Sequence, residues 1–194
     1  MHSNACEPRR ACATATGRSR CRCAAALLVT AACALPAAAP ANAARQACAG
    51  AAGVPGTAGG AALRRALYCL INAERARQGL RALRRSRRLA GAAGRQASDM
   101  VMRGYFDHER AGWTLHGRLR AAGWSGGLAA ETIAWGCGRL GVPRAVLDGW
   151  LASPPHRQIV LGPFSRAGVG LAIGSPGPLG CSAAGTWVLD VGGR

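Results

Sequence analysis

Three side chains carry most of the chemistry this chain could do: His108, Glu131 and His156. Two imidazoles and a carboxylate can ligate a divalent metal, or act as an acid/base pair with an orienting group. Their separations match no fixed metal spacing such as H-E-x-x-H, so spacing alone does not choose between those chemistries. Asp107 and Glu109 flank His108 and can simply solvate it. Glu131 stands among Leu128, Ala129, Ala130, Ile133 and Ala134, so its carboxylate must be paired or exposed at a turn. His156 follows Ser153-Pro154-Pro155, a helix-opening sequence in which Ser153 serves as N-cap and Pro154 loses nothing by lacking an N–H. The positive end of that helix disfavours an imidazolium and keeps His156 neutral, as ligand or base. The plainer reading of His156 is a partly buried helix-start residue bonded to backbone. Ser153, three residues before His156, reads as a cap rather than a nucleophile.

The elements that must position these residues can be read from periodicity. Leu63, Ala66, Leu67, Leu70 and Ile71 form the stripe of a helix from about Ala61 to Gln78, stopped by Gly79. Ser86 caps a second helix whose inner face is Leu89, Ala92, Ala93, Ala97, Met100 and Val101, ending at Gly104. Between them the basic run from Arg81 to Arg88 reads as solvated surface. Thr114 to Ala122 predicts a short helix before Gly123. Pro143 opens another that ends near Ala152, and the helix bearing His156 closes at Gly162-Pro163. Thr132–Trp135, Val169–Ile173 and Thr186–Val191 read as strands, the last two joined by a Gly/Pro-rich connection. Helices first and strands later give an α+β class with antiparallel pairing.

Composition sets the compartment. All 25 basic residues are Arg, the formal net charge is +17, and the apolar half of the chain is rich in Ala. Residues 1–43 read as a signal peptide: an Arg-rich n-region to Arg22, an apolar segment from Ala24 to Ala39, and Ala41-Asn42-Ala43 as the cleavage site. The alternative is an uncleaved segment that keeps the protein at the membrane. Cleavage removes five Arg and Glu7 and leaves a net charge of +13. It also leaves four of the nine Cys: Cys48, Cys69, Cys137 and Cys181. An even number in an exported chain implies two disulfides, with three possible pairings. Cys48 lies in residues 44–60, an Ala/Gly-rich flexible lead-in, and Cys69 lies in the first helix of the domain that spans 61–194. Cys137 follows the strand after Glu131, and Cys181 sits in the last interstrand connection. Cys48–Cys69 with Cys137–Cys181 is the pairing these positions favour.

Several motifs, in order, resemble the bacterial branch of the CAP superfamily, the SCP-like domains of cysteine-rich secretory, antigen 5 and pathogenesis-related proteins. They are C-L-I-N-A-E-R-A-R-Q-G-L from Cys69, L-A-G-A-A-G-R-Q-A-S-D-M ending at Met100, and Y-F-D-H ending at His108. R-L-R-A-A-G-W to Trp124, A-E-T-I-A-W-G from Ala130, W-L-A-S-P-P-H-R-Q-I-V-L from Trp150 and G-V-G-L-A complete the series. The resemblance spans about Cys69 to Gly192. It implies an α-β-α sandwich, a small antiparallel sheet between helical layers, with an open cleft. In eukaryotic relatives that cleft holds two His and two Glu and can take a metal, often zinc. Only His108 and Glu131 match that tetrad; the second Glu falls on Ser153 and the second His near Thr186. Ile159 stands where Asn is usual, and Val188-Leu189 replace a Thr-Gln pair.

Three functions fit these observations. The incomplete tetrad favours a secreted, non-catalytic binding module whose cleft takes a small ligand, a lipid or a peptide. A metal-dependent hydrolase or peptidase would use His108, Glu131 and His156, with at most a weakly held divalent metal such as zinc. The Arg surface could instead bind anionic cell-envelope polymers, export arguing against intracellular nucleic acid. A monomer is expected, with His108, Glu131 and His156 sharing one cleft.

Overall fold

The computed structural model describes residues 48–178, 180, 181 and 183–193. The expected signal peptide lies outside the described residues. Among the described residues, five helices and four strands follow in the order α1 (Gly60–Arg77), β1 (Arg84–Arg85), α2 (Arg87–Arg103), α3 (Leu115–Ala121), β2 (Ala129–Cys137), α4 (Pro143–Ala152), α5 (Pro154–Leu161), β3 (Arg166–Ile173) and β4 (Ala184–Gly192), with a 3-10 turn at Gly138–Gly141. The class is α+β. The sheet order is β1-β3-β4-β2; β4 pairs antiparallel with both β2 and β3, while β1 pairs parallel with β3.

Local chemistry explains the helix ends. Gly79 has φ 70°, and behind it Leu80 N–H bonds the Arg75 carbonyl at 2.9 Å, closing α1 in a left-handed cap. Ser86 Oγ accepts from Leu89 N–H, and Thr114 Oγ1 accepts from Gly117 N–H, opening α2 and α3. Ser153 occupies the N-cap position of α5 in extended conformation, but its hydroxyl makes no cap bond. This corrects the expected side-chain cap: the main-chain carbonyl of Ser153, accepting from Arg157 N–H at 2.8 Å, closes the turn instead. Pro154 and Pro155 still force the break between α4 and α5.

The strands run longer than periodicity predicts. β2 reaches back to Ala129, β3 to Arg166 and β4 to Ala184, through Ala and Gly that have low strand propensity but pair by backbone and pack against helices. The basic run is also not all loose surface. Arg84 and Arg85 pair with Arg166 and Ala167 as a short edge strand, their side chains exposed, while Leu83 beside them is buried.

Helices cover both faces. Alternate residues Ala167, Val169, Trp187, Leu189 and Val191 pack with Leu63, Leu67, Leu70, Val146, Leu147 and Trp150 from α1 and α4. The opposite face meets α2 so closely that a Cβ on Gly168 would lie 1.9 Å from the Ala90 nitrogen, and one on Gly170 2.3 Å from Ala93. Arg75, itself buried, donates to the Val160 and Gly162 carbonyls at 2.9 and 3.0 Å and ties α5 to α1. From Cys48 on, the expected flexible lead-in is a series of turns, joined to α1 by Cys48–Cys69 and bonded through the Ala51 carbonyl to Arg144 N–H. The second disulfide is Cys137–Cys181; Cα separations are 5.7 and 6.0 Å.

Candidate functional site

Glu131 is the centre of the site. It sits mid-strand on β2, directly opposite Asp190 on β4, and is 5% exposed. Both of its oxygens are engaged. Oε1 meets His108 Nδ1 at 3.0 Å, and Oε2 accepts from Arg118 Nη2 at 2.6 Å. Arg118, fully buried on α3, also donates from Nη1 to the carbonyls of His108 and Trp113 at 2.9 and 3.2 Å. One guanidinium therefore fixes both the carboxylate and the loop that bears its imidazole partner.

That loop is held from the other side by α2. Gln96 Nε2 donates to the Asp107 carbonyl at 2.8 Å, and Gln96 Oε1 accepts from Trp113 Nε1 at 2.8 Å. Asp99 gathers Arg103, Arg110 and the Tyr105 hydroxyl around one carboxylate. The Arg110 guanidinium drives the Asp99 carboxyl far below the usual range, and burial, with Asp99 beside it, pushes the Tyr105 hydroxyl up to about 12.

The two histidines differ in character. The bond to Glu131 raises the pKa of His108 despite partial burial, so it favours the imidazolium. His156 is lowered, chiefly by burial and then by the charge of His108. It favours the neutral form, as the sequence implied, but desolvation leads where the helix terminus was expected to. His156 and Ser153 line an open cavity of about 390 Å³ whose other walls include Phe106, Ile133, Trp135, Leu140, Val146 and Trp150. Trp150 forms part of its wall, locked by an indole N–H bond to the Ile133 carbonyl at 3.0 Å. His108 and Glu131 are thus in direct contact, and His156 lies within the field of His108 on the wall of the adjoining cavity.

Among the described residues no group of three or more His, Cys, Asp or Glu side chains converges to hold one ion. Of the expected ligand trio, His108 and Glu131 are in contact, His156 stands apart on the cavity wall, and Glu131 also faces the buried Arg118 guanidinium, whose charge opposes a cation there. Two residues of the site escaped the sequence reading. Arg118 was one charge among many, yet it is buried. Asp190 is buried, with neither oxygen hydrogen-bonded in the structure; burial first, and then the negative charge of Glu131, raise its pKa well above the ordinary value. A carboxyl at an inward position of the apolar run Thr186–Val191 was the available signal.

Comparison with known proteins follows the same outline. The profile of the cysteine-rich secretory protein family, CAP, matches residues 68–190. The uncharacterized protein YkwD of Bacillus subtilis is 35% identical over 103 residues, which cover 52% of this chain and 39% of that protein. The chain therefore spans well under half the length of that curated relative. An extracellular SCP-domain protein of Bacillus anthracis superposes with a TM-score of 0.58 at 24% identity, over 72% of this chain and 45% of that one. An outer surface protein of Borrelia burgdorferi gives 0.57 at 22% identity, over 66% and 90%. At these identities the two structures bear on the fold alone.

Proposed function

The chain belongs to the cysteine-rich secretory protein family, CAP, and on that premise we propose that it is an extracellular, non-catalytic module that binds a small apolar or amphiphilic ligand in the cavity beside His156. The observation that carries this reading is the cavity wall. Phe106, Ile133, Leu140, Val146 and Trp150 supply apolar surface, and His156 and Ser153 are its polar exceptions. Phe106 and Leu140 remain 44% and 74% exposed at this site, which is a cost in water unless something covers them. An extracellular setting is supported by the two disulfides. Among the described residues no helix is long and apolar enough to cross a membrane.

The alternative of a metal-dependent hydrolase loses its support at Glu131. A carboxylate bonded at one oxygen to Arg118 and at the other to His108 has no free edge for a cation. Its arrangement suits a fixed structural pair that shapes the loop at the cavity.

Gly149 offers a clean test. It lines the cavity on α4, and an added Cβ there meets nothing within 4 Å. Gly149→Phe should fill the cavity while improving helix propensity. Wild-type protein should bind a fluorescent fatty-acid probe saturably, and Gly149→Phe should lose at least about tenfold in affinity with an undiminished melting temperature. Absence of probe binding, unchanged binding in the variant, or stoichiometric zinc retained by exported protein would overturn the reading.

A further inference from the structure

We propose that the opposite edge of the sheet, at β1, is a binding site for a linear polymer of phosphate or phosphodiester groups. The site is built from Arg64 and Arg65 of α1, Arg85 of β1, Arg87 and Arg88 of α2, and Arg166 of β3. Two depressions of about 260 and 460 Å³ share the wall Arg85-Ser86-Arg87 and so adjoin along the edge. No acidic residue lines either depression, and among the described residues none of the six guanidiniums is ion-paired with a carboxylate.

This is an uncompensated charge cluster in a concave setting. The first turn of α2 contains Arg87 and Arg88 and no acid, although the positive end of a helix favours carboxylates there. Repulsion among these groups is relieved when an anion enters. Arg85 is already ordered, its guanidinium 4.7 Å above the Tyr68 ring, whose hydroxyl is bonded to the Leu83 carbonyl. An ordered guanidinium loses less freedom on binding than a free one.

The shape and lining select the ligand. Guanidinium forks match tetrahedral phosphate oxygens, and two adjoining lobes need several anionic groups in series. None of the large exposed hydrophobic residues lines the trough, so it lacks the apolar anchor that seats a protein on a membrane. It offers little stacking surface for bases, since its one indole, the half-buried Trp124 on the wall of the larger depression, is packed on one side. Trp124 packs against Gly126 and Gly192, with its indole N–H buried, and the Tyr68 face is covered by Arg85. A phosphate chain without bases is what remains.

The test uses the exported protein and linear inorganic polyphosphate, read by fluorescence anisotropy. Binding should persist in about 0.15 M salt and weaken steeply as salt rises. Arg85→Gln/Arg87→Gln/Arg166→Gln should lose about tenfold or more in affinity, since three charge-assisted contacts vanish. Arg120→Gln/Arg139→Gln/Arg157→Gln removes the same charge away from the trough and should lose less than about threefold, by the long-range field alone. Polyphosphate should also shield Arg85 and Arg87, but not Arg120 and Arg157, from phenylglyoxal in the unaltered protein, a readout independent of how the variants fold. Equal loss in both triple variants, no protection of Arg85 and Arg87, or binding of single-stranded DNA or phosphatidylglycerol vesicles as tight as that of polyphosphate would overturn the proposal.

Discussion

The two faces of the central sheet are built from alternate residues of the same strands, yet they are organised by different physics. Toward α1 and α4 the strands present Val169, Trp187, Leu189 and Val191, and the interface is a thick apolar layer. Toward α2 they present Gly168, Gly170, Val188 and Asp190, with Glu131 from β2. The first face is held by buried side-chain area. The second is held by close backbone approach and, at its end, by a buried ionic cluster. From the family motif A-E-T-I, Glu131 and Ile133 feed the second face while Ala130 packs on the first, so the strand period of two places the ionic cluster opposite the thick apolar layer.

The sharpest way to break this contrast is to give the second face the bulk of the first. Gly168→Val would drive a side chain into the backbone of α2, where even a Cβ lies 1.9 Å from the Ala90 nitrogen. Neither backbone can move without unpairing β3, so a loss of about 4 kcal/mol or more is expected, read as failure to recover folded protein or a collapsed urea midpoint. A variant that folds with near-native stability would show that the helix and sheet are not in rigid contact.

The ionic cluster is the next largest lever. Arg118→Met leaves Glu131 and Asp190 buried on one face, with His108 as the remaining partner of Glu131 alone. Removing one side of a buried pair typically costs about 3–5 kcal/mol, and the half-exposed His108 offsets part of that. The expected loss is therefore about 3 kcal/mol in urea unfolding at neutral pH. Adding Glu131→Gln to Arg118→Met should recover part of the loss, because the orphaned charge goes with it. If the double variant is no better than the single one, Arg118 acts through packing and loop carbonyls rather than charge.

The same contrast explains what was legible in the sequence. The apolar face was, because Leu63, Leu67, Leu70 and Ile71 announce themselves by helical spacing. The class, the main helices and both disulfide partners of each pair follow from such local signals. The close-packed face was less visible, since Gly168 and Gly170 read as strand weakeners until α2 is seen lying on them. Arg84 and Arg85 look like loop because their exposed side chains hide a backbone pairing with β3. At the site, His108 and Glu131 were found by motif, whereas Arg118 was not, because burial is a tertiary property and this chain is crowded with arginine. Ser153 fitted a cap by position alone; only the hydroxyl geometry shows that it makes no such bond.

The smallest effect sharpens the contrast through pH. The Glu131 cluster contains two groups whose folded pKa values are raised, His108 by its bond to Glu131 and Asp190 by burial and the Glu131 charge. A raised pKa means the folded state holds its proton more tightly than the unfolded chain, so stability is full at low pH and falls as pH climbs. The windows differ. Asp190 begins to subtract above the ordinary Asp value of about 3.9, while His108 does so only above about 6.5. His156, lowered by burial, acts in the opposite sense: its contribution is present above about 6.5 and fades as pH falls through its folded value. Asp190→Asn, which mimics the protonated acid, should therefore flatten the decline of the urea midpoint between about pH 4 and 6, where His108 has hardly begun to lose its proton and His156 contributes alike in wild type and variant. His108→Gln should leave that segment alone and flatten the decline above about pH 6.5, weakly, because an imidazole with a side chain 46% exposed is well screened by water. Trp187→Ala, on the apolar face, should lower the whole curve without changing its slope in either window, since its indole N–H bonds the Gly141 backbone carbonyl and its ring lies in the apolar cluster. A change of slope in Trp187→Ala, or none in Asp190→Asn, would mean that the two faces are not energetically separate.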